Sequence, residues 1–100
     1  MIILMATVQA RKGCERELEK AMREIIPETA KENGVMEYRL HKSLDVEGHY
    51  AFYEKYRDKD VLVSHLASTH FQALSEKFKQ YVDGEPKIEL FEFMDGISES

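Results

Sequence analysis

The sequence predicts one α+β domain whose strands and helices follow the order β-α-β-β-α-β, and three observations support this prediction. Segments with apolar alternation, typical of strands, stand on both sides of two segments with apolar residues at helical spacing. Glycines at positions 13, 34, 48 and 84 separate most of these segments. The chain has 100 residues, of which 43% are hydrophobic, so we expect a single domain over residues 1–100.

The first half contains a strand, a helix and a second strand. Residues 2–10 are apolar on both alternating faces, which predicts a strand that is covered on both sides. Leu18, Met22 and Ile25 recur at helical spacing, so we expect an amphipathic helix over residues 14–33 that Gly34 ends. Pro27 should bend this helix or loosen it near Arg23. The alternation of residues 35–42 predicts the second strand, with Met36, Tyr38 and Leu40 on one face and Glu37, Arg39 and His41 on the other.

The second half contains a strand, a broken helix and a last strand. After a turn at residues 45–48, residues 49–57 form an aromatic strand with Phe52, Glu54 and Tyr56 on one face and Ala51, Tyr53 and Lys55 on the other. Asp58 is a good N-cap for a short helix, and Ser68 or Thr69 can cap a second helical piece. Residues 87–94 form the last strand, and residues 95–100 are expected to be a flexible tail.

This order corresponds to a ferredoxin-like sandwich with an antiparallel sheet, in which helices cover one face of the sheet. The other face is left bare in a monomer, although the first and third strands are apolar on both sides. A chain of this size also has a thin core. We therefore expect a homodimer whose sheets pack face to face into a barrel.

Composition excludes several classes of partner. The chain has 14 Lys and Arg against 19 Asp and Glu, a net charge of -5, and no basic stripe, which argues against nucleic acid. The apolar run at residues 1–8 ends long before the ~20 residues of a membrane span, and it lacks the basic start of a signal peptide. The single cysteine, Cys14, forms no internal disulfide, so we expect a reducing, cytoplasmic location.

Residues 52–71 resemble the antibiotic biosynthesis monooxygenase family, in which an aromatic-Glu strand and a charged turn precede a His-Leu-x-Ser/Thr-x-His-Phe segment. Residues 33–38 resemble the helix-to-strand junction of the same family. The resemblance implies a dimeric α+β barrel and a quinol monooxygenase-like enzyme that oxidises a small aromatic substrate with O₂, without metal, flavin or haem. The haem-degrading branch of the family typically has a pocket Trp, and this chain has none.

Such an oxygenase needs a base, because a phenolate passes an electron to O₂ where the neutral molecule does not. His65 is the first candidate, since an imidazole titrates near neutral pH, and His70 and Glu54 follow. The candidates for substrate binding are Tyr38, Tyr53, Tyr56 and Asn33. No cofactor is expected, and no metal is expected because HxH and HExxH spacings are absent from the sequence.

Each candidate also has a structural interpretation. His65 shares an apolar stripe and can anchor its helix, His70 can serve as a cap or surface residue, and Glu54 can pair with Arg39 or Lys55 across the sheet. Two further functions stay open: a non-oxidative isomerase of a small phosphorylated metabolite, with an anion at His41 and Arg39, and a small-ligand-binding dimer without turnover. The identity of the substrate is beyond the sequence.

Overall fold

The computed structural model describes residues 1–97, which form a four-stranded antiparallel sheet with three helices. The elements are β1 (Ile2–Gln9), α1 (Glu15–Thr29), β2 (Val35–Lys42), β3 (His49–Tyr56), α2 (Lys59–Leu66), α3 (Thr69–Tyr81) and β4 (Lys87–Glu92). The strand order β2-β3-β1-β4 confirms the ferredoxin-like α+β fold. Of the expected tail, residues 95–97 are exposed and without regular structure, and residues 98–100 lie outside the described residues. Among the helices described, none has the length and apolar character needed to cross a membrane.

Helix α1 ends four residues earlier than the sequence predicts, and this difference matters for the site. After Thr29, the amides of Lys31 and Glu32 donate to carbonyls three residues back, so the chain continues in tight turns rather than in a helix. Pro27 lies in the last helical turn and supplies no amide for the Arg23 carbonyl, which weakens the helix where it ends. Gly34 then takes a positive φ of 97° in the turn that leads into β2.

The helices cover one face of the sheet and leave the other open. Leu18 and Met22 of α1 are fully buried against Val8 and Phe52 of the covered face. On the open face, Met5 and Phe91 are each 45% exposed. A register shift between Val35 and Glu37 interrupts the predicted alternation of β2, so that Met36 is 49% exposed instead of sharing the burial of Tyr38 and Leu40.

The predicted break between two short helices is confirmed. The Asp58 carboxylate accepts from the Val61 amide at the start of α2, and the Ser68 hydroxyl accepts from the Phe71 amide at the start of α3. Ser68 is therefore the cap of the second piece, and Thr69 is its first helical residue. This break puts His65 in the last turn of α2 and His70 in the first turn of α3.

Candidate functional site

Three side chains from separate parts of the chain meet beneath the helix break. Oε2 of Glu32 lies 2.7 Å from Nδ1 of His65 and 2.7 Å from Nε2 of His70. The His65 side chain is 1% exposed, whereas those of Glu32 and His70 are 18% and 23% exposed. The cluster therefore reaches from solvent to the core, with His65 as its innermost member.

Local structure explains why these residues meet. The tight turns after α1 bring Glu32 against the junction of α2 and α3, where the capped break sets the two histidines side by side. The Ser68 hydroxyl also donates to the His65 carbonyl at 2.6 Å, which ties the end of α2 to the start of α3. The histidine ring centroids are 5.8 Å apart. The same hydroxyl that caps α3 thus fixes the spacing of the two rings.

The electrostatics of the cluster favour an ionised Glu32 and a neutral His65. Burial alone raises the pKa of Glu32, but the hydrogen bonds from His65 and His70 outweigh it and hold that pKa below its usual value. Burial lowers the pKa of His65 below 6.5, against the opposing pull of Glu32. A carboxylate can only accept hydrogen bonds, so neutral His65 must carry its ring proton on Nδ1, which faces Glu32. Nε2 of the same ring then has a free lone pair. Within residues 1–97, that buried Nε2 has no hydrogen-bond partner.

A second polar group lies in the core beside His65. The Tyr56 hydroxyl donates to Oε1 of Glu54 at 2.5 Å, and Glu54 is only 5% exposed. Burial raises the pKa of Glu54 from 4.5 to about 7, although the Tyr56 hydrogen bond opposes this rise. Burial and the neighbouring Glu54 also raise the pKa of Tyr56 and that of Tyr38. Glu54 is therefore the member of this buried set that can gain or lose a proton near neutral pH, whereas the two tyrosines keep theirs.

Aromatic rings surround His65 on several sides. Its ring centroid lies 5.2 Å from Tyr38, 5.6 Å from Tyr56 and 5.4 Å from Phe71. These separations are typical of packed aromatic pairs. In the described conformation the chain's own side chains therefore enclose the imidazole.

The sheet separates the predicted site residues into two groups. Tyr38 and Tyr56 share the covered face with Glu54, as their register on neighbouring strands requires. Tyr53 lies on the open face beside Met5 and Arg39, as the predicted alternation of this strand requires, so within one chain it lies apart from the other two tyrosines. Its part in substrate binding stays a prediction. Asn33 is exposed in the turn before β2.

The alternative in which Glu54 pairs with Arg39 or Lys55 does not hold, because those two cations are on the other face of the sheet. They line a broad depression of about 910 Å³ on the open face, together with His41 and Glu37. The Arg39 guanidinium contacts the Glu37 carboxylate at 3.2 Å. The anion pair proposed for the isomerase and the base proposed for the oxygenase thus lie on opposite sides of the sheet.

Glu32 is the residue that sequence reasoning missed. As part of a helix continuing to residue 33, it would lie between Lys31 and Asn33, among polar residues that are usually solvated. The early end of α1 instead turns it toward the histidines. The signal that could have revealed it is Pro27, because a proline inside a helix removes a backbone hydrogen bond and so weakens the helix around it.

The same three side chains are able to hold a metal ion. Their ligand atoms, one from each residue, all lie within 4.8 Å of one another. The sequence gives no metal motif for them because His65 and His70 stand on two helices and Glu32 comes from a distant turn.

Comparison with known proteins identifies the family to which this chain belongs. Among solved structures, the chain is similar to a Nitrosomonas europaea protein provisionally described as an antibiotic biosynthesis monooxygenase, with 15% identity, a TM-score of 0.91 and coverage of 95% of this chain and 100% of that one. It is also similar to Rv0793 from Mycobacterium tuberculosis, with 22% identity, a TM-score of 0.90 and coverage of 97% and 98%, and to PA3566 from Pseudomonas aeruginosa, with 24% identity, a TM-score of 0.88 and coverage of 94% of both chains. No curated protein matches the sequence significantly. Residues 1–77 match the family model for antibiotic biosynthesis monooxygenases, and this chain therefore belongs to that family.

Proposed function

We propose that this protein is a cofactor-independent monooxygenase that oxidises a small phenolic or quinol-type molecule with O₂, and that His65 is its base. Membership of the family supports the reaction class. The observation that carries the proposal is the buried Nε2 of His65, which has no partner in the described chain while Nδ1 is held by Glu32. An imidazole in this state is neutral, oriented and ready to accept a proton.

The chemistry follows from this lone pair. Nε2 removes a hydroxyl proton from the substrate, and the resulting phenolate gives one electron to O₂. The two radicals combine to form a carbon–oxygen bond, and the peroxide then loses water. For a hydroquinone the balance is C₆H₆O₂ + O₂ → C₆H₄O₃ + H₂O, so one oxygen atom enters the product and the other leaves as water. The protein contributes the base and a site shielded from water.

Glu32 and Glu54 take different parts in this scheme. Glu32 is a positioning residue, because its carboxylate fixes the tautomer of His65 and stabilises the ring when it becomes charged. Glu54, with a pKa of about 7, is able to return a proton when the peroxide breaks down. Tyr56 connects Glu54 to the ring of His65.

We also propose that the functional unit is a homodimer formed through the open face of the sheet. Met5 and Phe91 are exposed there, and Lys55 lies 4.3 Å above the ring of Phe93 on the same side. Large apolar side chains exposed beside one another on a sheet face are costly to leave in water. Sedimentation equilibrium should give a dimer at micromolar concentration, and Met5→Glu should shift it to monomer. A wild-type monomer under these conditions would overturn this part of the proposal.

A second candidate is a small-ligand-binding dimer without turnover. The enclosure of His65 by Tyr38, Tyr56 and Phe71 favours it, because a substrate reaches Nε2 only if these side chains move. A phenol that raises the melting temperature without any product or oxygen uptake would support this candidate over the oxygenase.

The test is oxygen uptake by chelator-treated protein with a panel of hydroquinones. Wild type should consume O₂, and His65→Ala should be slower by ~10²-fold or more, in line with the usual contribution of a general base. Lys77→Ala, which removes an exposed side chain from the second half of α3, is the control and should retain the rate. Equal rates for wild type and His65→Ala would refute the assignment of the base. Anaerobic turnover of the same molecules would refute the oxygenase.

The cytoplasmic location stays a prediction.

A further inference from the structure

We propose that Glu32, His65 and His70 bind one divalent transition-metal ion, and that this ion turns His65 off as a base. The effect on turnover rests on the function proposed above. Metal binding and the change in the His65 ring do not, and each has its own measurement.

The geometry needs little adjustment to accept an ion. The three ligand atoms lie within 4.8 Å of one another, and the carboxylate oxygen is 2.7 Å from each nitrogen. Around a tetrahedral ion with bonds of ~2.0–2.1 Å, ligand atoms stand about 3.3 Å apart. The nitrogens must therefore move away from the oxygen by roughly half an ångström and come to about 3.3 Å from each other, which side-chain rotation can provide.

The type of ion follows from the ligand atoms. Two imidazole nitrogens and one carboxylate oxygen favour Zn²⁺, Co²⁺, Ni²⁺ or Cu²⁺, whereas Mg²⁺ and Ca²⁺ prefer sites made of oxygen. Three protein ligands leave one tetrahedral position for water. Glu32 and His70 are partly exposed, so an ion can enter from solvent without unfolding the core around His65.

Metal binding has a direct consequence for the His65 ring. An ion bound at Nδ1 takes the lone pair of that nitrogen, so the one proton of the neutral ring must move to Nε2. Nε2 then carries hydrogen in the place where the oxygenase needs a lone pair. The base is lost without any change in the net charge of the ring.

Calorimetric titration of the chelator-treated full chain tests the site. Zn²⁺ and Co²⁺ should each bind at one ion per chain, and Mg²⁺ should not bind. Glu32→Gln and His70→Ala should each weaken Zn²⁺ binding at least about tenfold, because even outer-shell changes have effects of that size. His41→Ala is the matched histidine control and should bind as wild type does. Absence of saturable Zn²⁺ binding, or unchanged affinity in both cluster variants, would overturn the site.

The change in His65 is tested separately by ¹⁵N NMR of histidine-labelled protein. We expect Nδ1 to carry the proton without metal and Nε2 to carry it with Zn²⁺. An unchanged tautomer at saturating Zn²⁺ would overturn the switch, even if the site itself exists. Oxygen uptake that rises with Zn²⁺ would overturn it too. A wild-type protein that takes up no oxygen with or without metal would count against the oxygenase, while titration and NMR would still decide the metal site and the switch.

Discussion

The buried carboxyl of Glu54 should make the stability of this protein depend on pH in a direction opposite to that of most acidic residues. Burial raises its pKa from 4.5 to about 7. Between these two values the folded chain keeps a proton that the unfolded chain loses. The free energy of unfolding therefore falls as pH rises through this window, because the folded state binds more protons than the unfolded state.

The size of the effect follows from the shift. A rise from 4.5 to about 7 corresponds, at ~1.4 kcal/mol per pKa unit, to about 3 kcal/mol lost between acid and alkaline conditions. Glu54→Gln preserves the shape of the side chain and an oxygen that accepts from the Tyr56 hydroxyl, but it never becomes charged. The variant should thus gain about 3 kcal/mol relative to wild type between pH 4.5 and pH 8.5.

Urea unfolding followed by circular dichroism measures this difference when all samples have the same protein concentration. Glu24→Gln, on the exposed side of α1, is the matched control and should follow the wild-type curve. If the free energies of unfolding of wild type and Glu54→Gln changed in parallel with pH, the reasoning would be refuted. Such a result would mean that the carboxyl is hydrated in the folded state.

Four further predictions concern the site and its support. Glu32→Gln should slow oxygen uptake at least about tenfold by weakening the alignment of His65, and rates equal to wild type would show that Glu32 does not position the base. Because burial lowers the pKa of His65 below 6.5, uptake should decline only when the pH falls below that value, and an acid limb with a higher midpoint would contradict the assignment. Leu18→Ala, at a fully buried position, should lower the free energy of unfolding by ~2–5 kcal/mol, whereas Leu44→Ala, at a fully exposed position, should leave it unchanged. Similar losses in the two variants would mean that Leu18 is not part of the core. Gly34→Ala should lower the free energy of unfolding by ~1–3 kcal/mol, because its φ is positive and a new Cβ would lie 2.6 Å from Cγ2 of Val61. The same substitution should cost less in a Val61→Ala background than in wild type, and equal costs in both backgrounds would argue against the clash.

Much of the fold could be predicted because the local signals agree with one another. The alternation of residues 49–57 assigned each side chain of β3 to its observed face. Asp58 marked the observed start of α2, and the choice between Ser68 and Thr69 as cap placed the start of α3 to within one residue. These features depend on neighbours in sequence, which is why the sequence alone reveals them.

The site was less predictable because it depends on where elements end and on which face each strand presents. Glu32 joins His65 only because α1 stops at Thr29, and no periodicity marks that end. Tyr53 and Tyr56 have the same aromatic character but lie on opposite faces of the sheet, so residue type alone does not tell which tyrosine lies near the base. The raised pKa of Glu54 comes from burial between Leu4 and Tyr38, whose strands are far apart in sequence.

The central claim is that this protein inserts one atom of O₂ into a small aromatic substrate without a cofactor. Mass spectrometry of the product made under ¹⁸O₂ by chelator-treated wild type tests it most directly. We predict one ¹⁸O atom in the new carbon–oxygen bond and one O₂ consumed per product, with little product from His65→Ala. A product that forms without O₂, or that takes its new oxygen from ¹⁸O-labelled water, would contradict the account.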